Sequence, residues 1–185
     1  VSTLKVNNLT DLGDDPIVTD GALIGAGKIL QVVSTTKTNT FTLASGSFTD
    51  ITGFSATITP SSASNKVLVM VSMGGVVDVS AGSVSAKLIR DTTDLALGDA
   101  AGGYIQTTFG GYEAGINQIT YPITYLDSPA TTSATTYKIA IKVSVHPGGG
   151  SMTFILNQGG LSSGGVTYGD LSRGSSTITL MEVAG

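Results

Sequence analysis

The chain has 185 residues, enough for one sizeable domain with an appendage. Hydrophobic residues make up 41%, which predicts a packed core and argues against wholesale disorder, whereas charged residues are only 12%, so Ser, Thr, Asn and Gly must cover most of the surface. A net charge of −4 without any Lys/Arg cluster gives no electrostatic footprint for nucleic acid, and a chain with no cysteine and one histidine has neither a disulfide framework nor the ligands of an ordinary structural zinc site.

Residues 1–27 read as an N-terminal attachment arm and linker. Leu4, Val6 and Leu9 alternate imperfectly with polar residues, and Asp11, Gly13, Asp14, Asp15 and Pro16 form a turn signal. Ile17 opens a second short strand, and Gly21 to Gly27 is a linker. Two short strands bury too little to stand alone, so this arm is expected to dock through Leu4, Val6, Leu9 and Ile17. The first residues lack the apolar core of a signal peptide, and no segment is long enough to span a bilayer. A soluble protein with no membrane insertion is expected.

Residues 28–185 read as the body. Ile29 to Val33 is strand-like. Thr38 to Leu43 and Ser47 to Ile51 are Thr- and Phe-rich with period two, and Phe54 to Thr59 alternates until Pro60. Lys66 to Gly75 is the central strand. Its run from Val67 to Val71 lacks polar alternation, which predicts a strand covered on both faces, in the middle of a sandwich or at a subunit contact, and closed by Gly74 and Gly75. Val84 to Arg90 alternates, Asp91 to Asp94 turns, and Leu95 to Leu97 returns. Gly98 to Gly115 is Gly-rich and reads as a long functional or interfacial loop. Gln118 to Leu126 resumes the strands, with Pro122 marking an edge or bulge. Tyr137, Ile139, Ile141, Val143 and Val145 alternate most clearly and should share one face. Thr153 to Leu156 follows, Asn157 to Gly174 is a second Gly/Ser-rich excursion, and Ser176 to Val183 closes the chain. No window has helical periodicity. Short strands separated by frequent turns predict an all-β fold, an antiparallel β-sandwich that is jelly-roll-like.

Little of this carries catalytic chemistry. His146, opening a glycine turn, has no nucleophile elbow to serve and reads as a loop residue. Gly25-Ala26-Gly27-Lys28 fails the phosphate-loop pattern at Ala22 and Ile29. Asp11, Asp14 and Asp15, like Asp91, Asp94 and Asp99, lack EF-hand spacing and read as turn residues. Asn8-Leu9-Thr10 matches a glycosylation acceptor by a pattern short enough to arise by chance. No catalytic residue, metal ligand or cofactor is assigned. Tyr104, Phe109 and Tyr112 are the candidate receptor or subunit contacts. Their rings on a Gly-rich loop suit either stacking on sugars or packing against a neighbouring subunit.

Three blocks carry a family resemblance: KILQVVSTTKTNTF from Lys28, FTDITGFSATITPSS from Phe48 and NKVLVMV from Asn65. With Leu88 to Thr92, Gly98 to Ala101, the closing Ser176 to Val183 and the opening Ser2 to Asp11, they make most of the chain resemble the C-terminal module of tail fibre proteins of marine bacteriophages, cyanophages above all. The resemblance implies a virion structural protein, a homotrimer with a jelly-roll-like body. It departs from that pattern in having no long shaft between arm and body. The expected function is non-enzymatic: a short fibre attached to tail or capsid proteins by its arm, with a host-surface glycan as a further partner. The alternatives are a capsid decoration or head-fibre protein, and a carbohydrate-binding or carbohydrate-active module. Against the last stands the scarcity of paired carboxylates, since glycoside cleavage ordinarily uses two.

Overall fold

The structure is a computed structural model. It describes residues 8–10, 16–19, 22–23, 27–78, 82–113, 118–145, 152–159 and 172–185. Fourteen strands lie among them: β1 (Asn8–Thr10), β2 (Pro16–Thr19), β3 (Ala22–Leu23), β4 (Ile29–Lys37), β5 (Phe41–Leu43), β6 (Thr49–Ile58), β7 (Lys66–Asp78), β8 (Gly82–Arg90), β9 (Thr93–Leu95), β10 (Phe109–Glu113), β11 (Gln118–Asp127), β12 (Thr135–Val145), β13 (Thr153–Leu156) and β14 (Ser176–Val183).

Among the described residues, β1, β2 and β3 pair with one another alone. The other strands form two antiparallel sheets. In the first, β14 and then β13 run along one side of β7, with β4 and then β5 outside them, and β11 lies on the other side of β7. This makes four columns. In the second, β6 pairs with β12 and β12 with β8. β10 and β9 together fill the column beyond β8. Numbered in chain order, the eight columns are arranged so that first, eighth, third and sixth are neighbours in one sheet, and second, seventh, fourth and fifth in the other. That is the jelly roll, two interlocked Greek keys. The expected all-β antiparallel sandwich is the fold.

The core lies between the sheets. Val67, Val69, Val71 and Met73 of β7 face Tyr137, Ile139, Ile141 and Val143 of β12, Val84, Ala86 and Leu88 of β8, and Phe54 of β6. The alternation of β12 therefore sets its buried face as expected for these four residues. The side chain of Val145 lies outside the described residues.

Three readings change. β7 does not stop at the glycine pair but runs on to Asp78. Gly75 is needed there because the Phe154 ring lies against it: a Cβ at Gly75 would come within 2.5 Å of that ring. The strand signals Ser47 to Ile51 and Phe54 to Thr59 merge into one strand, β6. It is kinked at Gly53, whose φ of 72° is left-handed, and its register against β12 slips at this point. Finally, within the single chain β7 is covered on one face, so it is not the mid-sandwich strand of the first alternative. Val67, Val69 and Val71 are buried, whereas Met70 and Ser72 are exposed and Leu68 is half-buried.

Candidate functional site

The edge column of the second sheet is interrupted. β9 pairs with Leu88 to Arg90, β10 pairs with Gly82 to Ala86, and the 96–108 segment leaves the sheet between them. Thr108 bridges the break. Its backbone N–H donates to the Ala86 carbonyl at 2.9 Å, and its hydroxyl donates to the Leu95 carbonyl at 2.8 Å while accepting from the Leu88 N–H at 2.8 Å. Further bonds brace the loop. The Gly98 N–H donates to the Thr107 carbonyl at 3.2 Å, and the Gln106 side-chain amide donates to the Gly98 carbonyl at 2.8 Å. A turn closed by the Tyr104 N–H on the Ala101 carbonyl, with Gly102 at φ 53°, sets the tip. These are bonds of a loop with a defined shape.

The tip presents Tyr104, 85% exposed, and Ile105, 52% exposed. Beside them lies a shallow cleft of about 530 Å³, lined by Ser83, Ser85, Thr107 and the glycines Gly103, Gly110 and Gly111 as well as Val84. Among the described residues the lining contains hydroxyls, backbone, the apolar Val84 and Ile105 and one open aromatic ring, and no Asp, Glu, His, Lys or Arg. It can stack on a flat apolar ring and exchange neutral hydrogen bonds with substituents around it. It offers no acid or base.

Tyr104 and Phe109 are not brought together. Tyr104 points to solvent. Phe109, the first residue of β10, is half-buried, and its ring meets that of the core residue Tyr121 edge-on at 4.7 Å. It is a packing residue of its own chain. Phe109 and Tyr112 belong to a strand, so the loop expected to run to Gly115 ends earlier, at the β10 ladder. The side chain of Tyr112 lies outside the described residues. Of the arm candidates, Leu4 and Val6 lie outside them too. Leu9 pairs with Val18 in the β1–β2 ladder, and Ile17 is the extra residue at its bulge. His146, Asp11, Asp14 and Asp15 are also outside the described residues. Asp91 accepts from the Thr136 N–H and Asp94 pairs with Lys87, and among the described residues no His, Cys, Asp or Glu side chains gather in a group that could hold a metal.

Sequence reasoning missed two polar nodes that hold the sandwich in shape. Asp127, at the end of β11, is buried between the sheets, where its Oδ2 accepts from Arg90 Nη1 at 2.7 Å and from the Tyr137 hydroxyl at 2.6 Å. Burial and the bond to Asp127 push the Tyr137 phenol well above its ordinary value. Burial works against the Arg90 charge, yet the Asp127 carboxylate leaves that group above its usual value. Glu182 of β14 is 1% exposed. Its Oε1 accepts from the Ser61 N–H, the Ser61 hydroxyl and Asn65 Nδ2 at 2.6 to 2.7 Å, and its Oε2 accepts from Gln31 Nε2 at 2.6 Å. Burial alone would raise its pKa, but these donors lower it to about 2. Each node was signalled by a carboxylate closing an apolar strand, in Tyr121 to Asp127 and in Ile178 to Glu182.

Glu182 also fixes the root of the arm. Two residues on, the Ala184 N–H donates to the Lys28 carbonyl at 2.8 Å and the Gly27 N–H to the Ala184 carbonyl at 2.9 Å. The chain therefore enters the body clamped against its last strand.

No family model matches the chain, and no curated protein matches it in sequence. Among solved structures it is similar to a chain from the structure of the Gx strain of infectious bursal disease virus, at 16% identity and a TM-score of 0.37. That likeness covers 95% of this chain and 43% of the viral one, so this chain spans less than half of that protein's length.

Proposed function

We propose that the protein is a non-enzymatic structural component of a bacteriophage virion, a homotrimeric short fibre attached by its N-terminal arm and contacting the host surface through the Tyr104 loop. The observation that carries this reading is the division of labour along the chain. Among the described residues the arm's strands pair with one another alone, its root is clamped at Gly27 and Lys28, and a separately braced loop holds Tyr104 in solvent. Such an arrangement suits a protein that is held at one place and touches something at another. Jelly rolls serve viral capsids and lectins alike, and the fold by itself selects neither. The support therefore comes from the arm, the cleft and the resemblance in sequence.

The partners in this reading are copies of the chain itself, tail or capsid proteins that receive the arm, and a host-surface glycan. A neutral sugar ring matches the cleft because an aromatic face and hydroxyls line it and no charge does. The test is removal of residues 1–26. The truncated protein should fold and self-associate as before but fail to join particles. Normal incorporation would remove the arm from its proposed role. Normal incorporation of a Tyr104→Ala variant that adsorbs to cells as well as the parent would instead favour a capsid decoration protein.

A further inference from the structure

The floor of the Tyr104 cleft continues onto the outer face of the second sheet. Gly110 of β10 pairs with Ser85 of β8, and Ser85 pairs with Lys142 of β12. Thr49 of β6 pairs with Ile141, so Phe48, the residue before it, comes next in line beside Lys142. One row thus runs straight across the face: Gly110, Ser85, Lys142, Phe48. Lys142 stands one strand spacing, about 4.8 Å, beyond the serine that floors the cleft.

Charge on this face is unevenly compensated. Lys138 pairs with Asp50 and Lys87 with Asp94. Among the described residues Lys142 pairs with no carboxylate. The ammonium groups of Lys87 and Lys142 both lie over the Phe48 ring, 4.6 and 5.7 Å from its centre. The negative face of that ring holds both cations in place, and Asp94 neutralises the first. One oriented positive charge is left, next to the cleft. Asp99, in the same loop as Tyr104, does not line the cleft.

The cleft supplies neutral groups with nothing else to bind. Among the described residues the hydroxyls of Ser83, Ser85 and Thr107 have no partner within the chain, whereas that of Thr108 is spent on the strand break. Gly110 keeps two of them open. A Cβ there would stand between them, 3.4 Å from the Thr107 hydroxyl and 3.9 Å from that of Ser85.

We infer that this site takes an acidic saccharide, with one sugar ring stacked on Tyr104 and the carboxylate or sulfate of the adjoining sugar on Lys142. The inference rests on the host-glycan reading and names the class of glycan. A small inorganic anion would use the lysine and leave the ring and hydroxyls idle. A nucleic acid needs a track of cations along its backbone, and this face has one that is uncompensated. An ammonium is a point charge without a fixed fork, so it accepts carboxylate and sulfate alike.

The test is isothermal titration calorimetry of the intact 185-residue protein with three matched hexasaccharides, built of galactose, of sulfated galactose or of galacturonic acid. At low salt an acidic form, sulfated or carboxylated, should bind at least about tenfold tighter than the neutral one, and the margin should narrow as salt is raised. Lys142→Gln should bring the acidic forms to the neutral level and leave neutral binding unchanged. Tyr104→Ala should weaken all three. Lys66→Gln, the same loss of charge on the other sheet, should change none of them, and unfolding midpoints confirm that each variant is folded. Acidic and neutral forms that bind alike, with Lys142→Gln altering neither, would overturn this inference and leave the Tyr104 glycan reading intact. Acidic binding that needs Lys142 but not Tyr104 would overturn the joint site. A parent that binds none of the three would overturn both readings.

Discussion

Leu126 and Asp127, neighbours in β11, are turned the opposite way from what their side chains alone would dictate. The leucine stands 47% exposed on the outer face opposite Leu68, and the aspartate is buried between the sheets opposite Val67. A strand's period of two allows either register. Asp127 is held inside by Arg90 and Tyr137, which reach it from β8 and β12 of the other sheet. The inward carboxylate therefore joins the sheets at one end of the sandwich, and it leaves Leu126 exposed on the outer face.

Replacing Asp127 with Ala should destabilise the fold by about 3 kcal/mol, because the guanidinium and the phenol lose their shared acceptor in a buried place. Tyr137→Phe removes one hydrogen bond and should cost about 1 kcal/mol. Denaturant titration of both variants checks the order. Equal effects would mean that Asp127 acts only through the tyrosine.

Glu182 sets an acid limit. Its folded pKa of about 2 lies below the unfolded value of 4.5. A depressed carboxylate contributes its stability in full above the unfolded value, and that contribution fades as the pH falls from about 4.5 toward about 2. The difference corresponds to about 3 kcal/mol. Unfolding free energy should therefore drop over this window in the parent, and drop less in Glu182→Gln, which should already be weaker at pH 7. A parent and variant with parallel pH profiles would show that Glu182 is not the controlling group.

The aromatic candidates should separate in experiment. Phe109→Ala removes a ring packed on Tyr121 and should cost about 3 kcal/mol of stability. Tyr104→Ala should leave the unfolding midpoint unchanged, since the ring touches solvent. It should also weaken adsorption to host cells roughly thirtyfold if a stacked sugar is its partner. A loss of stability in Tyr104→Ala would place the ring in the fold rather than in a binding surface.

How much of this was legible in the sequence depended on the range of the interactions. The alternation in Tyr137 to Val143 and in Val84 to Leu88 gave the buried faces, because side-chain direction in a strand is local. The merged β6 and the continued β7 were hidden, because Gly53 and Gly75 look like breakers until the kink and the Phe154 ring that use them are known. Glu182 finds its donors at Gln31, Ser61 and Asn65, more than a hundred residues away, and no window along the chain contains both sides of such a contact. The unbroken apolar run from Val67 to Val71 was read as a strand covered on both faces. In the single chain one face is covered, and Leu68 and Met70 on the other remain open to a partner.

The account turns on self-association of the chain, and the oligomeric state of the intact protein addresses that most directly. Sedimentation equilibrium across the micromolar range should give a single species of three times 18.6 kDa. A species of one chain mass over the whole range would contradict it.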